Sequence, residues 1–163
     1  MNKYVVIHTD GACKGNPGIG SWAATLEYKG TIKEISGVVT NTTNNQMELQ
    51  AVIEALKALK QPCKIDLYTD SQYVQKGMLE WIKTWKIKNW KNVKNVELWQ
   101  ELDSLAIKHN ISWHWVRGHS GHDGNERVDE LANLAIKNYL ASGLGTAAST
   151  SIDKSTTSPK PGK

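Results

Sequence analysis

At 163 residues, the chain is long enough for one domain that buries roughly 70% of the surface its unfolded form exposes, so it needs no disulfide or metal staple to fold. A net charge of +4 and a sequence pI near 9.0 make a polyanionic partner more plausible than an acidic chain would. Cys13 and Cys63 fall in no Cys-x-x-Cys pattern and read as free thiols, no apolar run reaches spanning length, and Met1-Asn-Lys leads into a strand, so a soluble cytoplasmic protein without a membrane partner is expected.

The run Tyr4-Val-Val-Ile-His-Thr-Asp10-Gly11 is apolar and ends in Thr-Asp and a small residue, and Ile65-Asp-Leu-Tyr-Thr-Asp70-Ser71 repeats that layout. Strand alternation puts Val6, His8 and Asp10 on one face, with Asp66, Tyr68 and Asp70 on the equivalent face of the second strand. Asp10 to Gly20 is dense in Gly, Asn and Pro and is expected to be a turn-rich loop. Its glycines are not read as a phosphate cradle, because no helix with a Walker Lys-Ser/Thr follows. Ser21–Tyr28 and Thr31–Val39 flank Lys29-Gly30 and predict a hairpin, which makes the first three strands an antiparallel meander. Thr43 with Gln46 fits a capping box, and Met47, Ala51, Val52, Ala55, Leu56 and Leu59 recur at helical spacing. A helix from about Asn44 to Leu59, ended by Gln61-Pro62, follows. The strand Lys64–Thr69 then completes a strand, helix, strand unit and favours parallel pairing with the first strand. In that pairing Asp10 and Asp70 stand side by side, about 4.8 Å apart. They repel unless a cation sits between them.

From Ser71 to Lys94 the chain carries Lys76, Lys83, Lys86, Lys88, Lys91 and Lys94 against a single acid, Glu80, with Trp81, Trp85 and Trp90 among them. Short helical pieces are expected. Val96 to His109 reads as a helix on Val96, Leu98, Trp99, Leu102, Leu105 and Ala106, followed by a strand from Ile111 to Val116. Arg117 to Asn125 reads as a loop, with Asp123 and Glu126 repeating the capping pattern in acidic form. A last helix sets Val128, Leu131, Ala132, Ala135 and Tyr139 on one face. Beyond Ser142 the composition falls mostly to Ser, Thr, Gly, Ala, Pro and Lys, with Ile152 the only large apolar residue after Leu144, and that tail is expected to be disordered.

Singly, each acid has an ordinary explanation: Asp10-Gly11 as a turn, Asp70 as a cap, Glu48 near a helix start, Asp129 on a surface. Jointly they point elsewhere. Ligands of an open α/β sheet gather at the carboxyl ends of its parallel strands, where Asp10 and Asp70 both lie. Oxygen-only donors suit Mg²⁺ or Mn²⁺ rather than zinc, and a zinc site on His119, His122 and Cys13 or Cys63 would lack a recognisable ligand spacing. Two such cations about 3.5–4 Å apart activate a water and stabilise a leaving oxygen, which implies phosphodiester hydrolysis. The lysine and tryptophan segment reads either as a solvated helix face with buried tryptophans or as a footprint for a nucleic-acid backbone with exposed Trp against sugars or bases.

Thr9-Asp10-Gly11 with Asn16-Pro17-Gly18, Thr42-Thr-Asn-Asn-Gln-Met-Glu48-Leu49, Tyr68-Thr-Asp70-Ser71-Gln72-Tyr73, and Gly118-His119-Ser-Gly-His122 with Asn125-Glu126-Arg-Val-Asp129 together resemble type 1 ribonuclease H from about Lys3 to Ala141. The resemblance implies an endonuclease that hydrolyses the RNA strand of RNA–DNA hybrids by two-metal-ion catalysis, leaving 5′-phosphate and 3′-hydroxyl ends. It assigns Asp10, Glu48, Asp70 and Asp129 to the metals, and His119 to proton movement or product release. It places Asn16, Asn44, Asn45 and Gln72 on the minor groove or RNA sugars, Thr43 and Asn95 at a DNA phosphate, and Trp81 and Trp85 along the DNA channel. Lys86, Lys88 and Lys91 fall in the basic handle, whose stretch between Trp90 and Val96 is shorter here than in familiar bacterial examples.

The expected architecture is a ribonuclease H-like α/β fold, a mixed five-stranded sheet of order 3-2-1-4-5 flanked by helices, with a catalytic domain over 1–142 and a tail over 143–163. A monomer acting with two Mg²⁺ is expected. The alternatives are another nuclease of the same fold and a noncatalytic hybrid-binding module, against which the four-acid set argues. A phosphatase acting on small phosphates would leave the lysine and tryptophan segment without a role.

Overall fold

The computed structural model describes residues 3–142 and 150–152. Strand β1 (Lys3–Gly15) pairs antiparallel with β2 (Gly18–Tyr28), which pairs antiparallel with β3 (Thr31–Thr42). Helix α1 (Asn44–Lys57) crosses back to β4 (Cys63–Thr69), and β4 runs parallel to β1 in the register Val6↔Asp66 and His8↔Tyr68. Helices α2 (Gln72–Lys76) and α3 (Ile82–Ile87) flank a π-helical turn at Gly77–Trp81; α4 (Val96–Ala106) leads to β5 (Asn110–Trp115), parallel to β4, and α5 (Asp123–Ala141) follows. The five-strand order 3-2-1-4-5 is therefore as expected.

Three expectations need correction. The segment Asp10–Gly20 is not a loop: β1 continues to Gly15 and β2 begins at Gly18, leaving Asn16-Pro17, joined by a cis peptide, as the turn. Counting turn-forming residues missed this because the two backbones satisfy each other across the ladder. The acidic cap is displaced by one residue. His122, not Asp123, caps α5, with its Nδ1 accepting the Asn125 N–H at 3.2 Å. Within the segment expected to be disordered, Thr150–Ile152 forms a sixth strand, β6, antiparallel to β3 through Ser36↔Ile152 and Val38↔Thr150. An unpaired edge strand is a template for any short extended segment, which bulk composition does not reveal. The rest of that segment lies outside the described residues.

The Lys29-Gly30 turn is as read: both residues have positive φ, 51° and 83°, as a tight two-residue hairpin turn requires. Residues on one face of the sheet, including Val5, Ile7, Ala24, Leu26, Ile65 and Leu67, pack with α1 and α4 into the main core. On the opposite face Ala23 meets Leu131 and Ala132 of α5, with Ala12 beside them. Alternation thus gives Thr9 and Gly11 to the α1 side and His8, Asp10 and Ala12 to the α5 side.

Candidate active site

Asp10 sits near the carboxyl end of the paired part of β1, and Asp70 follows the last residue of β4, one step beyond the Thr9↔Thr69 pair. Glu48 is in the first turns of α1, whose amino end is fixed by Thr43: its Oγ1 accepts the Gln46 N–H at 3.2 Å. One carboxylate oxygen from each of Asp10, Glu48 and Asp70 lies within 4.8 Å of the others. Asp129, from α5 on the far side of the sheet, comes close enough to the Asp10 carboxyl to raise it. Among the described residues no other group of three His, Cys, Asp or Glu side chains converges, so the zinc alternative has no cluster there.

The acids are out of water. Asp10 is 3% exposed and Glu48 6%. Burial, the neighbouring Asp70 charge and the Asp129 contact push the Asp10 carboxyl up to about 9. Burial first, then the charges of Asp10 and Asp70, raise Glu48 well above the usual carboxylate range. The polar Gly11 backbone beside both carboxyls opposes these shifts in part. Glu48 Oε1 is buried with no hydrogen-bond partner. An orphaned carboxylate oxygen in a group of carboxylates is a costly arrangement that an oxygen-seeking cation relieves.

His119 lies exposed in the loop before α5, at φ 58°. Its neighbour Gly118 does abut the cluster: a Cβ there would lie 2.8 Å from Asp70 Oδ2.

The residues expected to meet substrate fall into two groups. Asn16 in the β1–β2 turn and Asn44 at the start of α1 are brought together, Asn16 Oδ1 accepting the Asn44 N–H at 3.2 Å. Asn45 and Gln72 are exposed at the starts of α1 and α2. Gln46 does not complete a capping box. It accepts from Thr42 Oγ1 at 2.9 Å and donates through Nε2 to Asn95 Oδ1 at 3.1 Å, thereby linking the start of α1 to Asn95. In the second group, Trp81 and Trp85 lie in an aromatic cluster with Tyr73, Trp90 and the buried Trp99. Trp85 is half-buried and Trp81 is at the surface, so the core and surface readings of these residues each hold for one ring. Lys88 and Lys91 are exposed, whereas Lys86 makes an ion pair with Asp103 at 2.9 Å.

The sequence profile of the RNase H family matches residues 2–137. A protein named ribonuclease H from Legionella pneumophila (strain Lens) is 61% identical over 138 residues, covering 82% of this chain and 96% of that protein. The chain belongs to the ribonuclease H family. Its fold is similar to that of LC9-RNase H1, described as a type 1 RNase H with the type 2 active-site motif, with a TM-score of 0.74 and 30% identity over 94% of this chain and 79% of that one. LC11-RNase H1, solved in complex with an RNA/DNA hybrid, shares the fold at a TM-score of 0.66 and 23% identity, over 83% and 99% of the two chains.

Several residues that shape this ribonuclease H site carry no chemistry of their own and escaped the sequence reading. Gly11 is one: a Cβ there would lie 2.6 Å from the Glu48 nitrogen, so only glycine lets α1 approach β1. A glycine inside a strand is itself a signal of close backbone approach. Trp115 Nε1 donates to the Asp70 backbone carbonyl at 3.0 Å, and Asn133 Nδ2 donates to Asp129 O at 2.9 Å and Oδ1 at 3.3 Å. The Asn133 contact follows i, i+4 helical spacing and was available from the sequence. The Trp115 contact depends on the β4–β5 pairing and was not.

Proposed function

We propose that this ribonuclease H hydrolyses the RNA strand of RNA–DNA hybrids with divalent cations held by Asp10, Glu48, Asp70 and Asp129. The observation that carries the reading is the convergence of three carboxylates within 4.8 Å, with Glu48 Oε1 buried and unpaired. Oxygen-only donors favour Mg²⁺ or Mn²⁺. Bound there, such cations activate the attacking water and neutralise charge on the leaving oxygen.

The chain's own residues supply placement. β1 and β4 hold Asp10 and Asp70 side by side, Gly11 and the Thr43 cap bring Glu48 down onto them, and α5 delivers Asp129 from the opposite face. Water adds to phosphorus, the bond to the 3′ oxygen breaks, and that oxygen takes up a proton, giving 5′-phosphate and 3′-hydroxyl ends. His119, on its exposed loop, would move that proton or help product leave. Asn16, Asn44, Asn45 and Gln72 would test for the ribose 2′-hydroxyl, which separates RNA from DNA. Thr43 and Asn95 would hold a DNA phosphate, while Trp81, Trp85, Lys88 and Lys91, with Lys86 where its Asp103 pair opens, would carry the DNA strand. Among the described residues no helix is long and apolar enough to cross a membrane. The same reading makes the protein a cytoplasmic monomer whose catalytic domain ends near residue 142.

The test is a labelled RNA–DNA hybrid with Mg²⁺, run beside single-stranded RNA, duplex DNA and the Asp10→Asn variant. Cleavage confined to the hybrid and lost in the variant is expected. Equal cutting of duplex DNA, or full activity in the variant, overturns the proposal.

A further inference from the structure

A second group of ring side chains lies on the α5 face of the sheet. His8, Tyr68 and His114 occupy one row across β1, β4 and β5. Their rings stack with centroids 5.0 and 4.6 Å apart. His122 meets this row from the amino end of α5, its ring centroid 5.3 Å from His8 and 5.5 Å from Tyr68. The same imidazole caps α5, its Nδ1 accepting the Asn125 N–H at 3.2 Å. His8 and Tyr68 precede Asp10 and Asp70 by two residues on their strands, and Asp129 lies about two turns beyond the cap.

We propose that His122 is a positioning residue of the carboxylate centre: its ring seats on β1 and β4 while its nitrogen caps α5, which fixes how Asp129 and the His119 loop meet Asp10 and Asp70. The inference rests on the reading of those carboxylates as the cation site. An ordinary cap such as Ser or Asn would satisfy the helix end without reaching the strands. The seat has no slack. Gly124 packs against the His8 ring so closely that any Cβ would collide with it. The loop is closed onto the helix by the Gly121 N–H donating to Glu126 Oε2 at 3.0 Å, and by the Glu126 N–H donating to the His122 carbonyl at 2.9 Å. Further along, the buried Ser21 hydroxyl donates to the Ala132 carbonyl. Asp129 is therefore held between two anchors, one at His122 and Gly124 and one at Ala132. Groups that orient a metal-holding side chain from one layer out are costly to lose, typically about 10–100-fold in metal affinity or activity.

The experiment uses the full chain with His122→Ala, His122→Asn, which keeps a cap without the ring, and His122→Phe, which keeps a ring without the cap. Mg²⁺ binding is followed by amide shifts without nucleic acid, and kcat and KM are measured on a hybrid. The alanine variant is expected to lose about 10-fold in Mg²⁺ affinity and in kcat, with KM unchanged, and the asparagine and phenylalanine variants to recover part each. Wild-type Mg²⁺ affinity in all three overturns the proposal, as does a loss that follows Tm alone regardless of which half of the contact is kept. Asp10→Asn is the control. If it binds Mg²⁺ and cleaves like the wild type, the reading of the centre fails; if it is inactive while all His122 variants behave as wild type, only this inference fails.

Discussion

Gly11 and Glu48 are in direct backbone contact: a Cβ on Gly11 would press 2.6 Å from the Glu48 nitrogen and from the Met47 carbonyl carbon. Neither neighbour is a flexible side-chain end, so the collision can be relieved only by moving α1 off β1. Gly11→Ala is expected to lower stability by about 1–3 kcal/mol and kcat by about 100-fold, since a displacement near 1 Å at a reacting centre costs that much. Chemical denaturation and steady-state cleavage check both. Wild-type kcat in a folded variant would show that the Glu48 position is not critical.

Buried like charges also set a pH dependence. Without divalent cations the Asp10 carboxyl is held up at about 9 in the folded protein against an ordinary 3.8, chiefly by burial and then by Asp70. Below the ordinary value it is protonated in both states and its effect on stability is constant. Between the two values the unfolded chain has released a proton that the folded chain retains, so stability falls as pH rises through that window. Asp10→Asn removes the cost. In chelator at about pH 8 the variant is expected to melt at least about 3 °C above the wild type, roughly 1 kcal/mol, and saturating Mg²⁺ should narrow the gap. A variant that melts lower in chelator would contradict the assigned strain.

How far the sequence carried this picture depends on the range of each interaction. Alternation and the repeated Thr-Asp ending placed Asp10 beside Asp70, and the observed register, His8 opposite Tyr68, follows from the same pattern. The Lys29-Gly30 turn and the Thr43 cap were legible because each is decided within a few residues. Gln46 was half legible: its position in the cap pattern was clear, but its side chain reaches Asn95, 49 positions away. The long β1–β2 hairpin was misread because glycines between Gly11 and Gly20 signal turns locally, while here they allow close packing; a Cβ at Gly20 would lie 2.5 Å from Thr42 Cγ2. Lys86 looked unopposed because Asp103 belongs to another helix.

That ion pair separates the lysines of the handle. Lys88 and Lys91 face solvent, whereas Lys86 is engaged with Asp103 at 2.9 Å. If the exposed pair meets phosphates, Lys88→Ala and Lys91→Ala each reduce the slope of log affinity against log salt by about 0.7–0.9. Lys86→Ala is expected to change that slope by less, and stability by under about 1 kcal/mol, as a surface pair does. Hybrid binding by a catalytically inactive variant over a salt series measures the slopes, and three unchanged slopes would return the segment to a solvated face.

Asn95 combines a strained backbone with a committed side chain. It adopts φ 57° and ψ 34° before α4, while its amide accepts from Gln46 at 3.1 Å and donates to the Tyr73 hydroxyl at 3.0 Å, where the Trp99 indole also donates. Alanine would keep the backbone strain and leave the partners unsatisfied, a loss of about 2 kcal/mol. Glycine removes the side chain but accepts the left-handed conformation without strain. Asn95→Gly should therefore be more stable than Asn95→Ala while sharing its missing amide. If that amide also contacts a DNA phosphate, the two variants raise KM for the hybrid equally, by about 10-fold or more, the effect of losing one charge-assisted hydrogen bond, with kcat preserved. A KM that instead follows stability, near wild type for glycine and raised for alanine, would assign Asn95 to the framework alone and leave the phosphate contact to Thr43.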